Sequence, residues 1–171
     1  RELEDKFKNK FKIIYGDITK KNTIKKIFEH QNKNKIFIDC IINNAGIRLR
    51  KNFLKTNQDD FKKVFDNNFY SIVYLTREFI RQSLKKNKLL SIVNLSSIVG
   101  SRGFAELSAY ASSKGALDSF TKSIAIEFSQ NVRINNVSPG FTKTSYYEKF
   151  KKNNILYNWT LKNTPLKRWG K

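Results

Sequence analysis

The sequence predicts an α/β fold in which a parallel β-sheet is covered by helices. The first observation is that strand-like runs, which are short, β-branched and mostly apolar, alternate with helix-like runs. The predicted strands are residues 11–15, 37–42, 89–95 and 132–137. The predicted helices are residues 22–30, 58–86 and 108–129.

The second observation is that polar and glycine residues follow every predicted strand at its carboxyl end. They are Gly16 and Asp17 after the first strand, Asn43 to Gly46 after the second, Ser96 and Ser97 after the third, and Ser138 to Gly140 after the fourth. Each group alone is also typical of an ordinary turn. Because ligands of open α/β sheets bind outside the carboxyl ends of the strands, these ends together predict one binding site.

Size and charge bound the classes of protein that the chain can represent. It has 171 residues, with no repeat and no linker, so we expect a single domain over residues 1–171. Its formal net charge of +20 is compatible with a nucleic-acid binder. The lysines, however, are scattered among asparagine and isoleucine, which is more typical of solvent-exposed faces than of a nucleic-acid-binding surface. We therefore expect no nucleic-acid partner. No membrane-spanning run or signal peptide is visible, so we expect no membrane partner and a cytoplasmic protein.

The counts of rare residue types bound the chemistry. Cys40 is the only cysteine, which excludes an internal disulfide and suits a reducing compartment. Its apolar surroundings predict a small buried residue. With one cysteine and one histidine, no metal site is expected. The absence of methionine and the ends at Arg1 and Lys171 favour an internal piece of a longer polypeptide.

The motif that carries chemistry is Tyr110-x-x-x-Lys114, which Ser97 precedes by thirteen positions. A phenol and an ammonium group four residues apart share one face of a helix. The ammonium favours the phenolate form, and a serine hydroxyl from another segment can hold a substrate oxygen beside the phenol. The three groups together suit proton transfer to or from a carbonyl or alcohol oxygen.

The same spacing occurs a second time, at Tyr147 and Lys151, so the spacing alone is weak evidence. Thirteen positions before Tyr147 lies Ile134 rather than a serine, and the surrounding segment is highly charged. We therefore interpret the second copy as a solvated helix face.

Asn68 lies on the apolar stripe of the predicted helix at residues 58–86. A carboxamide that faces a core needs hydrogen-bond partners, because leaving it unpaired costs about 1–3 kcal/mol. The spacing leaves two interpretations open, a local kink in the helix and a functional role.

These residues resemble the short-chain dehydrogenase/reductase family, in particular members similar to 3-oxoacyl-[acyl-carrier-protein] reductases. The matching pieces follow the family's order over essentially the whole chain, and they are Asp17-Ile18, Asn43-Asn-Ala-Gly46, Asn68, Ser97-x-x-Gly100, Tyr110-x-x-x-Lys114 and Pro139-Gly-Phe-Thr-Lys-Thr144. The resemblance implies a Rossmann-type, doubly wound parallel sheet with helices on both faces. It also implies hydride transfer between NAD or NADP and a carbonyl/alcohol pair.

The resemblance further implies a role for each of four catalytic residues. Tyr110 would be the general acid/base, and Lys114 would stabilise its phenolate and hold the nicotinamide ribose. Ser97 would orient the substrate oxygen. Asn68 would position a water molecule that feeds the proton relay.

A larger set of residues is implied to bind the cofactor, and no residue is implied to bind a metal. Beside Tyr110 and Lys114, the set consists of Asp17 and Ile18 at the adenine, Asn43, Ala45 and Gly46 near the adenosine ribose, and Pro139, Gly140, Thr142 and Thr144 along the nicotinamide and pyrophosphate. Glycine suits positions 46 and 140 because the backbone must approach a cofactor without a Cβ in the way.

The chain departs from the family at both ends. It lacks the glycine-rich phosphate loop of the first βαβ unit, the charged residue that selects NAD or NADP, and the last strand of the sheet. We therefore expect a fold that is incomplete at both ends, and poor cofactor binding by this piece alone. We also expect a gap in the sheet between the strands at residues 11–15 and 37–42.

Several aromatic residues follow the last predicted strand, in the region that forms a mobile lid in the family. They are Tyr146, Tyr147, Phe150, Tyr157 and Trp159. Aromatic residues among lysines also suit single-stranded nucleic acid, but the position directly after a strand end of the site favours the lid.

The resemblance also bears on substrates and assembly. It implies a small-molecule or acyl-carrier-bound carbonyl substrate, and a homodimer or homotetramer of the full-length protein. The alternative is a non-enzymatic nucleotide-binding or scaffold protein with the same fold. The complete set of four candidate catalytic residues argues against that alternative.

Overall fold

The computed structural model describes residues 11–144 and 147–170. Its sheet has three parallel strands in the order β1-β2-β3, and they are β1 Cys40–Asn43, β2 Leu90–Leu95 and β3 Val132–Val137. In this register Asn43, Asn94 and Asn136 lie side by side near the carboxyl ends of the strands. The three strands therefore end at the same edge of the sheet.

Helices connect and follow the strands, as the alternating pattern of the sequence predicts. Within the described residues they are α1 Lys21–Lys33, α2 Gln58–Phe65, α3 Ser71–Lys86, α4 Ser108–Glu127, α5 Tyr147–Lys151 and α6 Asn154–Lys162. A capping box starts α2, in which the Asn57 side chain accepts from the Asp60 backbone N–H and the Asp60 carboxylate accepts from the Asn57 N–H. In the described part of the chain, no helix combines the length and the apolar character needed to cross a membrane.

A π-helical turn, Asp66–Tyr70, joins α2 to α3. The helix predicted over residues 58–86 is therefore present, but one wider turn interrupts its regular hydrogen bonding. Such turns occur often at functional sites. Asn68 lies within this turn and is fully buried.

The hydrophobic core lies between α3 and the strands β2 and β3. Its buried side chains are Leu75, Phe79 and Ile80 of α3, Leu90 and Ile92 of β2, and Val132 and Ile134 of β3. Partly buried residues of α1 and α4 pack against this cluster, and the rings of Phe28 and Phe79 lie 4.8 Å apart between their centroids. Burial of these apolar surfaces fixes the helices on the sheet.

A row of buried polar side chains, here called the amide row, crosses the sheet and reaches α4. Asn43 Nδ2 donates to Asn94 Oδ1 at 2.8 Å, and Asn94 Nδ2 donates to Thr121 Oγ1 at 2.9 Å. Thr121 Oγ1 lies 2.8 Å from Asn136 Oδ1, and Asn136 Nδ2 donates to Asp118 Oδ1 at 2.7 Å. The amide row thus ties all three strands to α4 near the carboxyl ends of the strands.

Residues 11–15 do not form a strand, so that sequence prediction is wrong. A strand needs a hydrogen-bonded neighbour, and an isolated one is not stable in water. Among the described residues, β1 pairs only with β2, and its other edge carries no strand. The two segments are therefore not paired, but because residues 11–15 form no strand, the expected gap between two strands stays a prediction.

Cys40 is exposed, which contradicts its predicted burial. The apolar run that contains it is typical of a strand inside a sheet, with neighbours on both sides. In this chain β1 is an edge strand, and Ile42 on the same strand is 66% exposed. The error therefore has the same cause as the missing strand at residues 11–15.

Candidate active site

A cleft with a volume of about 1200 Å³ lies at the carboxyl ends of the three strands. The residues that follow the strands line it, namely Asn44 and Gly46 after β1, Ser96 and Ser97 after β2, and Pro139 and Gly140 after β3. Tyr110 and Lys114 of α4 line the same cleft. Three of the four predicted strand ends therefore meet at one site, and the fourth, at Gly16 and Asp17, does not line it.

Tyr110 and Lys114 lie one helical turn apart on the face of α4 that borders the cleft. The Lys114 Nζ atom is 5.9 Å from the centroid of the Tyr110 ring. Since α4 begins at Ser108, Tyr110 lies in its first turn, where the partial positive charge of the helix N-terminus favours an anion. Both the ammonium and the helix N-terminus therefore place positive charge beside the Tyr110 side chain.

Lys114 is held in a buried position, with 5% of its surface exposed. Its Nζ donates a hydrogen bond to the Leu95 carbonyl oxygen at 2.5 Å, at the end of β2. Burial lowers the pKa of the Lys114 ammonium below its ordinary value, and the nearby Asp118 carboxylate partly opposes this effect. The lysine is therefore a fixed donor directed at the cleft rather than a mobile surface charge.

Ser97 caps the short 3-10 turn Ile98–Gly100 and presents its hydroxyl to the cleft. Its Oγ accepts only a long hydrogen bond, 3.4 Å from the Val99 N–H, so the hydroxyl proton remains available to a ligand. Glycine at position 100 lets this turn approach α4, because a Cβ there would lie 2.8 Å from Asp118 Oδ2 and 3.0 Å from the Lys114 carbonyl carbon. The close approach of the turn and α4 brings Ser97 to the same cleft as Tyr110.

Asn68 connects the π-helical turn to both sides of the cleft. Its Oδ1 accepts from the Ile47 N–H at 2.8 Å, and its Nδ2 donates to the Ile47 carbonyl oxygen at 2.9 Å. The same Nδ2 lies 3.1 Å from Ser113 Oγ on α4. A Cβ at Gly46 would lie 3.2 Å from Asn68 Oδ1 and 3.8 Å from Lys114 Nζ. Asn68 therefore holds the loop after β1 against the part of α4 that carries the lysine.

The structure divides the predicted cofactor residues between two adjacent cavities. Gly46, Tyr110, Lys114, Pro139, Gly140, Thr142 and Thr144 line the large cleft. Ile18, Asn43 and Ala45 line a second cavity of about 310 Å³, and Asn44 lines both. Asp17 lines neither cavity, and its Oδ1 accepts hydrogen bonds from the Thr19 N–H and hydroxyl at 2.9 and 2.8 Å.

An aromatic cluster forms one wall of the cleft, and its centre is a residue that the sequence analysis missed. Trp169 is 4% exposed, and its Nε1 donates to Thr160 Oγ1 at 2.7 Å. Its ring packs with those of Phe141, Tyr147, Phe150 and Tyr157, at centroid distances of 5.3, 5.1, 5.4 and 6.1 Å. Of the predicted lid residues, Phe150 and Trp159 line the cleft, Tyr147 and Tyr157 pack behind them, and Tyr146 lies outside the described residues.

Sequence reasoning also missed Arg50, which lines the cleft on the loop after β1. One indication in the sequence that Arg50 lies at the site is its position four residues after Gly46, in the segment that follows a predicted strand end. The described residues include no group of three or more histidine, cysteine, aspartate or glutamate side chains placed to hold a metal ion.

Comparisons with known proteins show which proteins the chain is similar to. A family model described as enoyl-(acyl carrier protein) reductase matches residues 1–171. The chain is 28% identical over 155 residues to 5-keto-D-gluconate 5-reductase of Escherichia coli (strain K12), a match that covers 90% of this chain and 61% of that protein. It is 34% identical over 151 residues to the 3-oxoacyl-[acyl-carrier-protein] reductase FabG of Chlamydia pneumoniae, with 88% and 58% covered. The chain thus spans 58–61% of the length of these relatives.

A solved structure agrees with the fold expected from the sequence. The structure of 4-hydroxyisoleucine dehydrogenase complexed with NADH matches at a TM-score of 0.90 and 34% identity, covering 98% of this chain and 70% of that one. The predicted fold class, a parallel sheet with helices of the Rossmann type, is therefore confirmed.

Proposed function

The chain belongs to the short-chain dehydrogenase/reductase family, and we propose that the full-length protein is a cytoplasmic, NAD(P)-dependent oxidoreductase. It interconverts a carbonyl and an alcohol on a small-molecule or acyl-carrier-bound substrate. The observation that carries this proposal is that Ser97, Tyr110 and Lys114, from two separate segments, line one cleft. These are the groups that proton transfer to or from a carbonyl oxygen requires.

The cleft fits a nicotinamide nucleotide. Its volume of about 1200 Å³ suits a ligand of that size. Gly46 lines this cleft, and the absence of a Cβ lets its backbone pack closely against Asn68 Oδ1 and Lys114 Nζ. Lys114, Gly140 and Thr142 would hold the nicotinamide half, and Asn43 and Ala45 at the end of β1 would lie near the adenosine ribose. When bound, the nicotinamide supplies or accepts the hydride.

The side chains of this protein transfer the proton and stabilise the charge that the transfer leaves behind. During reduction, the Tyr110 hydroxyl gives its proton to the substrate oxygen while the carbonyl carbon takes up the hydride, so that one hydride and one proton convert the carbonyl to an alcohol. The Lys114 ammonium stabilises the phenolate that remains. The Ser97 hydroxyl donates a hydrogen bond to the same substrate oxygen and holds it beside the phenol.

The direct test is NAD(P)H oxidation by the full-length protein with ketone substrates such as 5-keto-D-gluconate and a 3-oxoacyl thioester. We expect Ser97→Ala to lower kcat/KM by about 10²-fold, because a positioned donor to the developing oxyanion is lost. The matched control is Ser101→Ala, since Ser101 is exposed and its hydroxyl bonds only to the Ile98 carbonyl oxygen. Cofactor binding without turnover of any ketone would instead favour a nucleotide-binding scaffold.

The proposed assembly is a homodimer or homotetramer. The support is an aromatic surface on the π-helical turn and α3, where Tyr70 and Tyr74 are 46% and 44% exposed. The rings of Phe69 and Phe120 pack edge to face and continue this surface to α4. Exposed aromatic residues that lie close together are typical of protein interfaces.

Light scattering of the full-length protein tests the assembly. We expect at least a dimeric mass, and a lower mass for Tyr74→Asp, which puts a charge into the aromatic surface. Leu89→Asp is the control, because Leu89 is 66% exposed but lies before β2, away from that surface. A monomeric wild-type protein would contradict the proposal.

A further inference from the structure

Arg50 places a guanidinium in the wall of the cleft that holds Ser97 and Tyr110. Its side chain is half-exposed, and its Nε donates to Glu106 Oε2 at 2.8 Å. Among the described residues, no hydrogen bond engages its two Nη groups. The outer half of the guanidinium therefore remains available to a ligand.

The loop that carries Arg50 is fixed from both sides. The Lys51 backbone N–H donates to the Glu106 carbonyl oxygen at 2.8 Å. Glu106 therefore binds the Arg50 side chain through its carboxylate and the Lys51 backbone through its carbonyl group. Lys51 Nζ also lies 2.6 Å from Asp60 Oδ2 at the start of α2. Glu106 has a φ of 64°, a left-handed conformation that residues other than glycine adopt only when their surroundings require it. These contacts place the Nε edge of the guanidinium against Glu106 and leave its Nη edge facing away from that carboxylate.

The charged side chains that line the cleft are all positive. They are Arg48, Arg50 and Lys114, and no aspartate or glutamate of the described residues lines it. The Lys114 ammonium is already bonded to the Leu95 carbonyl oxygen and lies beside Tyr110. The net charge of +20 adds a long-range field that favours anions. The cleft is therefore suited to a substrate with a negative group away from its reacting carbon.

The geometry at Arg50 favours a carboxylate over a phosphate. With Nε occupied by Glu106, the guanidinium offers its two Nη groups, which match the two oxygens of a planar carboxylate. The Glu106 charge offsets part of the arginine charge, which favours a monoanion over a dianion. The nearby wall at Phe104 and Trp159, whose rings pack edge to face at 6.2 Å, is apolar and suits a short carbon chain.

We propose that Arg50 binds the carboxylate of a small oxo or hydroxy acid, whose carbonyl or alcohol group then lies at Ser97 and Tyr110. This inference rests on the proposed function and narrows its substrates to free acids rather than acyl-carrier thioesters. Arg50 determines specificity and takes no part in the proton transfer, so its loss weakens substrate binding more than turnover.

The test compares ketones that differ only in charge. The full-length protein is assayed by NADH and NADPH oxidation with acetoacetate, levulinate and their methyl esters. We expect the wild-type protein to prefer each acid to its ester by about 10-fold or more in kcat/KM. In Arg50→Ala the KM for the acids rises by about 10- to 100-fold with a smaller change in kcat, and the acid-to-ester ratio falls toward one.

Two further variants separate this role from a general effect of charge or folding. Arg50→Lys keeps the charge but not the planar pair of donors, so it should recover only part of the preference for acids. Arg102→Ala removes an exposed arginine of a neighbouring loop that does not line the cleft, and it should leave the ratio unchanged. Thermal unfolding of each variant checks that the fold is retained.

The outcomes that overturn the inference differ from those that overturn the proposed function. An unchanged acid-to-ester ratio in Arg50→Ala, or equal use of acids and esters by the wild-type protein, refutes the carboxylate site and leaves the dehydrogenase intact. Competition by inorganic phosphate that depends on Arg50 assigns the site to a phosphate group instead. Turnover of a 3-oxoacyl thioester without turnover of any of these acids contradicts the carboxylate site alone, whereas failure to oxidise NADH or NADPH with every ketone tested contradicts both proposals.

Discussion

Tyr110→Phe in the full-length protein should lower kcat/KM for ketone reduction by about 10²- to 10⁴-fold, the usual contribution of a positioned general acid. The substitution removes only the hydroxyl of a half-buried side chain whose ring borders Lys114, so the packing of α4 is preserved. NAD(P)H oxidation measures the activity, and thermal unfolding measures the stability, which should not change.

The chain supplies a matched control in its second Tyr-x-x-x-Lys spacing. Tyr147→Phe removes a hydroxyl that lies 3.5 Å from the Tyr157 hydroxyl, in the cluster around Trp169 rather than in the cleft lining. Its kcat/KM should stay within about 2-fold of the wild-type value, since no proton donor to the substrate is lost. Equal losses in the two variants, or undiminished turnover in Tyr110→Phe, would refute the role of Tyr110 as proton donor.

Lys114→Met in the full-length protein should lower kcat/KM by about 10²- to 10³-fold, because the charge that stabilises the phenolate is removed. The same change should not reduce the melting temperature at neutral pH. Burial of the ammonium opposes folding, as the lowered pKa of Lys114 shows, and methionine fills the site without a charge. A variant that loses activity without losing stability would identify Lys114 as a functional rather than a structural residue.

The stability of this variant relative to the wild-type protein should depend on pH in a defined direction. Burial lowers the pKa of Lys114 in the folded protein below its ordinary value of 10.5. Between the lowered pKa and 10.5, the unfolded state binds more protons than the folded state, so the wild-type protein gains stability as the pH rises. Any advantage of Lys114→Met should therefore shrink toward pH 10.5.

Lys122→Met is the control for this experiment, since Lys122 is an exposed lysine of the same helix. It should leave the activity unchanged. A fall in melting temperature of Lys114→Met at all pH values would mean that the bond from Nζ to the Leu95 carbonyl oxygen outweighs the cost of burying the charge.

The parts of the fold that short-range patterns determine were predictable from the sequence. The β-branched runs predicted strands where β2 and β3 lie, and the apolar stripe predicted the helix from Gln58 to Lys86. The strand ends carried polar residues whose convergence follows from parallel topology alone. The roles assigned to Ser97, Tyr110 and Lys114 stay predictions, although the structure brings all three to one cleft.

The sequence predictions failed where the structure of a residue depends on contacts with segments that are distant in the sequence. Residues 11–15 have the composition of a strand, but a strand forms only against a partner, and these residues pair with none of the described strands. Cys40 is exposed for the same reason. Asn68 in the π-helical turn finds its hydrogen-bond partners at Ile47 and Ser113, which lie far away in the sequence.

Two features of the cleft gave weak signals in the sequence because their meaning depends on tertiary contacts. Arg50 is one of many basic residues in a chain with a net charge of +20, and only its orientation by Glu106 distinguishes it. Trp169 lies two residues from the end of the sequence, yet it packs at the centre of the aromatic cluster. Composition alone could not separate these residues from others of the same type.

The amide row has a consequence for how the sheet assembles. Asn94 is fully buried, and its two hydrogen bonds reach β1 on one side and α4 on the other, across 51 and 27 positions of the chain. Each bond of the row joins two segments, so the complete row is paired only when the three strands and α4 are all in place, and an unpaired member in the interior is costly. The segments that position the cleft therefore become stable together, in one cooperative step, rather than one after another.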